Sequence, residues 1–142
     1  MIRLLDTNAC IQLWQRKNLN VRRHFVQYGP GDIALCSVVK AELLFGALRS
    51  KQKDSNLQLL NKLFEPLISF DFDDNAANHY AQIRADLTTQ GNLIGANDLI
   101  IAAIACANNA ILITHNTSEF GRVQGLTVED WELQSKSDQV DN

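Results

Sequence analysis

The sequence predicts an α/β domain in which a central, mostly parallel twisted sheet is flanked by helices on both faces. Short apolar runs that read as buried strands alternate with helical patterns along the whole chain. Turn and capping signals separate the two kinds of segment. At 142 residues the chain has room for one compact domain. Right-handed crossovers bring every strand's carboxyl end to one edge of such a sheet, where ligands of open α/β folds bind.

Taken in order, Ile2–Leu5 is a strand ending at Asp6, and Asn8 is placed to cap a helix through Ile11, Leu13 and Trp14. A second helical pattern over Val21, Phe25 and Tyr28 stops at Gly29-Pro30-Gly31-Asp32. Ile33–Cys36 is the next strand, and Ser37 is placed to cap a helix from Val38 to Leu48. A further helix near Leu57–Phe64 is stopped by Pro66, and Leu67–Phe72 alternates as a strand does. Asp73 caps a long amphipathic helix through Ala77, Tyr80, Ile83 and Leu87, which Gly91 closes. Asn97-Asp98 opens the most apolar helix, Leu99–Ala107, buried nearly all round. Ala110–Thr114 is a strand running into His115-Asn116, and a last short strand falls near Leu126–Val128. The domain is expected over residues 1–132, with 133–142 a polar, fraying tail.

Composition narrows the class. Apolar residues make up 46% and charged residues 20%, which excludes a disordered or fibrous chain. The run Leu99–Ala107 is about half of a bilayer span, and Asp6 interrupts the amino terminus before a signal-peptide core builds up. No membrane role is expected. The 3 cysteines, Cys10, Cys36 and Cys106, are scattered and form no C-x-x-C pair, as expected of buried thiols in a reducing cytoplasm. Net charge is -3, yet residues 129–142 carry five acids against Lys136, so residues 1–128 carry +1. A slightly basic body permits contact with phosphates without demanding it.

Most of the acids have plain structural roles. Asp73 and Asp74 sit at a helix start, Asp32 in a turn, and Asp54, Glu65 and Asp86 on exposed helical positions. Three others fit less easily. Asp6 leaves the core at the ligand-binding edge; with Asn8 the better-placed cap, Asp6 is free for function, and Thr7 is placed to hold its carboxylate. Glu42 lies in a helix apolar on most sides, and Gly46 one turn on hints at close packing there. Its bland alternative is an exposed strip shared with Lys40 and Arg49. Asp98 has an innocent reading as a helix-start acid. The combination decides: Asp6, Asp98 and Asn116 all fall at turns on one sheet edge, within reach of Glu42. Carboxylates without a histidine or cysteine array suit a hard divalent cation, Mg²⁺ or Mn²⁺, which also relieves their mutual repulsion.

Other chemistries fit worse. The chain has no G-x-S-x-G elbow, P-loop or G-x-G-x-x-G. His24 and His79 read as helix-face residues, His115 as packed or solvated, Trp14 and Trp131 as packing residues, and Cys10 has no evident base. Arg22, Arg23, Arg84 and Arg122 read mainly as solvated helix faces, with a phosphate path as the alternative.

Leu5-Asp-Thr-Asn-Ala-Cys-Ile11, Ala41-Glu-Leu-Leu-Phe-Gly-Ala47, Gly95-Ala-Asn-Asp-Leu-Ile-Ile-Ala102 and Ile113-Thr-His-Asn-Thr-Ser-Glu-Phe120, closed by Gly125-Leu-Thr-Val-Glu-Asp-Trp131, stand in that order. With these motifs the sequence resembles the PIN-domain ribonucleases, specifically the VapC toxins of bacterial type II toxin–antitoxin pairs. The resemblance runs from Ile2 to Trp131 and implies a PIN-like fold. It implies a metal-dependent endoribonuclease with Mg²⁺ or Mn²⁺ on Asp6, Glu42 and Asp98, and Asn116 as a fourth catalytic position. Many PIN domains have an acid where this chain has Asn116; an amide adds no negative charge, and Glu119 ranks below the other four. RNA as substrate, with transfer RNA the favoured class, a homodimer, and a VapB-like antitoxin that packs over the toxin and blocks its site also follow from the resemblance. Leu13, Trp14, Leu43 and Phe45 serve either that contact or the core. Two alternatives stay open: phosphoryl transfer with Asp6 as covalent nucleophile, and a binding module with a degenerate site.

Overall fold

The computed structural model describes residues 1–15 and 17–133, so most of the expected tail lies outside the described residues. Five strands form one parallel sheet: β1 (Arg3–Leu5), β2 (Ile33–Cys36), β3 (Ile68–Phe70), β4 (Ile111–Ile113) and β5 (Val128–Glu129), in the order β3-β2-β1-β4-β5. Leu4 pairs with Ala34 on one side and Leu112 on the other. The strand order reverses at β1, so the crevice between β1 and β4 is the topological switch point of the sheet.

Seven helices cover the described part of the sheet. α1 (Thr7–Trp14) and α2 (Leu19–Phe25) join β1 to β2, and α3 (Ser37–Leu48) and α4 (Lys53–Phe64) join β2 to β3. α5 (Asp74–Thr89) and α6 (Ala96–Ala107) carry the chain back across to β4, and α7 (Thr117–Phe120) precedes β5. The first four helices step the chain one way along the sheet and the last three step it the other. Right-handed crossovers put the two sets on opposite faces. The packing agrees: α1 contacts α2, α3 and α4, while α5 lies against α6.

Burial explains why these segments became strands. All four residues of β2 and all three of β4 are buried, which a parallel sheet covered on both sides requires. In α6, Leu99 and every residue from Ile101 to Ala105 are buried, as its near-continuous apolar sequence predicts. In α5 only Ala76, Ile83 and Leu87 are buried, a single stripe. Asp73 caps α5 through Ala76 N–H at 2.9 Å, and Gly91, at φ +69°, takes the left-handed conformation that ends it.

Several element limits differ from the sequence reading, and at α1 and α3 the reason is shared: a strand feeds the helix with at most one residue between. Asp6, not Asn8, is the N-cap of α1; it is the last extended residue, and its carboxylate accepts Ala9 N–H at 2.8 Å. Ser37 is the first residue of α3 rather than its cap, and its hydroxyl bonds the Asp71 carboxylate at 3.1 Å. α6 begins at Ala96 after Gly95, one residue before Asn97-Asp98. α4 begins at Lys53, and Tyr28 lies beyond the end of α2. The strand expected over Leu67–Phe72 is confined to Ile68–Phe70.

The carboxyl-terminal segment is fastened to α2. Trp131, 1% exposed, stacks near-parallel on Tyr28 at 5.6 Å and on His24 at 5.5 Å. Its indole N–H donates to Glu129 at 2.8 Å, and Asn20 donates to the Glu132 carbonyl at 3.0 Å. Trp131 is therefore the packing residue the sequence suggests.

Candidate active site

Asp6, Glu42, Asp98 and Asn116 line one cleft of about 280 Å³ at the switch point, with Thr7 and Asn8 on its wall. Each comes from a different part of the fold: the end of β1, the middle of α3, the first turn of α6, and the turn after β4. Ile11, Ile101 and Phe120 give the cleft an apolar lining.

Asp6 is the most enclosed, at 7% exposure. Burial pushes its carboxyl above the ordinary range, while side-chain hydrogen bonding to Thr114 and the Ala9 N–H oppose the shift. The Ala9 N–H, not Thr7, holds this carboxylate; the Thr7 hydroxyl is buried without a protein partner. Glu42 is half-buried and accepts a hydrogen bond from Asn97 Nδ2 at 3.1 Å, so α3 and α6 meet at the cleft. The close packing inferred at Gly46 is absent; the residue is exposed, and a Cβ there would touch nothing within 4 Å.

Asp98 has a pKa raised to about 7, first by burial and next by the neighbouring Glu119 carboxylate, with smaller contributions from Glu42 and Asp6. Glu119 accepts Gly95 N–H at 3.0 Å and also bonds the Asn116 side-chain amide. The acid ranked lowest by sequence is thus bonded to the turn before Asp98 and to Asn116 itself. The signal was present: Asn116 and Glu119 are three residues apart, which places them on one face of a helical turn.

His115, exposed beside Asn116, pairs with acids of the carboxyl-terminal segment. Its Nδ1 lies 2.9 Å from Asp130 and 3.4 Å from Glu132. The Asp130 contact raises its pKa, so the imidazolium balances part of the acidity of the carboxyl-terminal segment. These three residues also bring their donor atoms within 4.8 Å of one another, a spacing a metal ion would accept.

Among the described residues, no arginine lines the acidic cleft. Arg84 bonds the Tyr80 hydroxyl on α5. Arg22 instead lines a second, more apolar cleft of about 260 Å³ with Leu13, Trp14, Phe25, Val26 and Leu63. Helix α1 lines both clefts, the acidic one at its amino end and the apolar one at its carboxyl end. Leu43 belongs to the core at 2% exposure, whereas Phe45 is 61% exposed.

Parallel strands in the order 3-2-1-4-5 and acids from distant elements meeting at the switch point form the pattern that comparison with known families tests. The family model described as PIN domain matches residues 3–126.

The chain belongs to the PIN-domain family.

Within that family this PIN domain is similar to VapC ribonucleases. It is 39% identical over 128 residues to the tRNA(fMet)-specific endonuclease VapC of Shigella flexneri, covering 90% of this chain and 96% of the relative. Ribonuclease VapC2 of Rickettsia felis is 35% identical over 133 residues, covering 93% of this chain and 99% of the relative. Among solved structures, VapBC2 from Rickettsia felis bound to a DNA fragment from its promoter superposes with a TM-score of 0.86 at 35% identity, covering 92% and 99% of the two chains. DNA-bound VapBC from Salmonella typhimurium also gives a TM-score of 0.86, at 33% identity, covering 92% and 98%. The PIN-like fold expected from sequence is therefore the fold observed.

The donor set of the cleft fits a hard divalent cation. Asp6, Glu42 and Asp98 are oxygen donors drawn from three elements, and Glu119 adds a fourth carboxylate beside Asp98. Burial and then the neighbouring carboxylates drive up the pKa of Asp98, and a doubly charged ion relieves the repulsion among them.

Proposed function

We propose that this PIN domain is the toxin of a type II toxin–antitoxin pair, a divalent-metal-dependent endoribonuclease that hydrolyses RNA phosphodiesters. The observation that carries the reading is the convergence of carboxylates from three elements on one cleft, with Glu119 beside Asp98, in a chain so similar to VapC ribonucleases. Transfer RNA is the favoured substrate class, from the likeness to a tRNA(fMet)-specific endonuclease. Mg²⁺ is the expected ion, with Mn²⁺ as its working substitute.

Asp6, Asp98 and Glu42 would hold the ion, with Glu119 supporting Asp98. A bound divalent cation supplies charge neutralisation at the phosphoryl oxygens and acidifies a water. The protein's own groups do the rest. Asp6 is held by Ala9 N–H, and Asn97 aims Glu42. Asp98 or Glu42 would orient the attacking water for in-line attack on the phosphodiester. Asn116 donates to Glu119 and offers its remaining amide capacity to the phosphate.

A VapB-like antitoxin is the proposed partner, because the similar structures are VapBC complexes. The apolar cleft on α1, next to the acidic one, is the surface proposed to receive it. A homodimer in the bacterial cytoplasm completes the reading, in keeping with three free cysteines. The test is direct. Purified chain should cleave RNA with Mg²⁺ or Mn²⁺ and stop when the ion is chelated, and mapping new 5′ ends in a total tRNA pool should identify the target. Ion-independent cleavage, or a phosphoaspartate trapped on Asp6, would overturn it.

A further inference from the structure

We propose that His115, Asp130 and Glu132 form a second metal site, apart from the acidic cleft, which takes Zn²⁺ and clamps the carboxyl-terminal segment to the turn carrying Asn116. His115 Nδ1 stands 2.9 Å from Asp130 Oδ2 and 3.4 Å from Glu132 Oε2, and the three donor atoms all lie within 4.8 Å of one another. Donors about 2.1 Å from a tetrahedral ion stand about 3.4 Å apart, so small side-chain rotations admit an ion among them. A plain ion pair accounts for His115 with Asp130, but it leaves Glu132 to share the same N–H. One nitrogen carries one proton, which cannot serve two carboxylates fully. A doubly charged ion satisfies both.

The backbone holds the three donors in place from both sides. Asp130 Oδ1 accepts Glu132 N–H at 2.9 Å, which leaves Oδ2 as the arm turned to His115. Between the two acids Trp131 is buried, and the Glu132 carbonyl accepts from Asn20 on α2. Opposite them, Thr114 N–H donates to the Glu129 carbonyl at 3.0 Å, joining the residues that immediately precede His115 and Asp130. The Asp130 side chain is 9% exposed and that of Glu132 18%, whereas His115 at 57% leaves one side of an ion open to water. None of the three lines the acidic cleft. The donor chemistry also separates the two sites. The cleft offers carboxylate oxygens, which suit Mg²⁺, whereas an imidazole nitrogen with two carboxylates suits Zn²⁺. The neutral imidazole is the ligand, so the ion displaces to solvent any proton held on Nδ1.

The test measures Zn²⁺ binding to the full chain by equilibrium dialysis in excess Mg²⁺, with X-ray absorption at the zinc edge to read the ligands. The wild type should retain one Zn²⁺ per chain, with one imidazole and otherwise oxygen donors around it. Its melting temperature should rise by about 5 °C or more at a hundredfold excess of Zn²⁺ over its Kd. Asp98→Asn, which disarms the cleft, should bind Zn²⁺ equally well. His115→Asn and Glu132→Gln should each bind it about 100-fold more weakly or worse, since losing a ligand costs more than losing an outer partner. Circular dichroism of the zinc-free variants checks folding, and Glu132→Gln decides the matter if His115→Asn does not fold. A wild type that gives up Zn²⁺ to Mg²⁺, a sulfur donor in the spectrum, or undiminished binding by the folded variants overturns the proposal. So does loss of Zn²⁺ in Asp98→Asn, which would place the ion in the cleft. None of these readouts depends on RNA cleavage, so this site and the ribonuclease reading stand or fall separately.

Discussion

Glu119 accepts the backbone N–H of Gly95 at 3.0 Å, which ties the short helix α7 to the start of α6. The contact sets the chemistry of Asp98, whose carboxyl shares its surroundings with Glu119 and is raised to about 7. Burial is the larger cause and the Glu119 charge the next. In Glu119→Gln the charge is gone while the shape remains. Asp98 should then titrate below its wild-type midpoint without returning to the ordinary carboxylate range, because the burial persists. Carbon-detected NMR of the metal-free protein measures this; an unchanged midpoint would show that burial acts alone.

The same group makes stability depend on pH. The folded-state value of Asp98, about 7, lies above its unfolded value of 3.8, so the folded chain binds more protons between those limits. Its contribution therefore falls as pH rises through that window and levels off above it. Asp98→Asn removes the dependence. The variant should melt higher than wild type at about pH 8 and no higher near pH 4, with the gap closing when Mn²⁺ is added to the wild type. Thermal melts across that range decide it, and a gap of constant size would refute it.

Asp6 has two roles, and substitutions separate them. Asparagine keeps an acceptor for Ala9 N–H, whereas alanine forfeits the cap of α1 at about 1 kcal/mol. Asp6→Asn should fold near wild-type stability and Asp6→Ala measurably below it. Both should lose RNA cleavage by about two orders of magnitude or more, roughly 3 kcal/mol of transition-state stabilisation. Urea denaturation beside single-turnover kinetics resolves the pair.

Trp131 fastens the end of the described chain to α2. Trp131→Ala should cost about 3–5 kcal/mol by urea denaturation. Phenylalanine, which keeps a ring against Tyr28 but loses the N–H bond to Glu129, should recover more than half of that.

His115 supplies a control away from the cleft. Its pKa is raised by Asp130 and then Glu132, so its imidazole should titrate above 6.5, and Asp130→Asn should return most of the shift. Proton NMR of the ring reads this directly. RNA cleavage should not follow the same midpoint, since the ring is turned to the carboxyl-terminal segment.

The fold was largely legible because its strands are short apolar runs and its helices carry clear stripes. Ile33–Cys36 was read with its observed limits, and Asp73 and Gly91 bound α5 as predicted. Capping was harder to read. Asn8 and Ser37 are good capping residues by type, but the abrupt strand-to-helix junctions leave at most one residue between, so Asp6 and Cys36 hold those positions. Gly46 misled because a glycine in a helix signals close approach only when a neighbour is there, and none is. The meeting of Asp6, Glu42, Asp98 and Asn116 followed from topology, which sequence periodicity reports. Glu119 is hard to rank from sequence because its importance comes from a partner 24 residues away in the chain, at Gly95.

That Asp6 N–H bonds the Ile113 carbonyl has a consequence for the chain as it is made. The first acid of the cleft emerges from the ribosome long before the strand that completes its setting. Until residues beyond about 113 are available, β1 has only one of its two sheet neighbours, and Glu119 is not yet beside Asp98. A truncated or stalled product would carry Asp6, Glu42 and Asp98 without the strand that completes their setting.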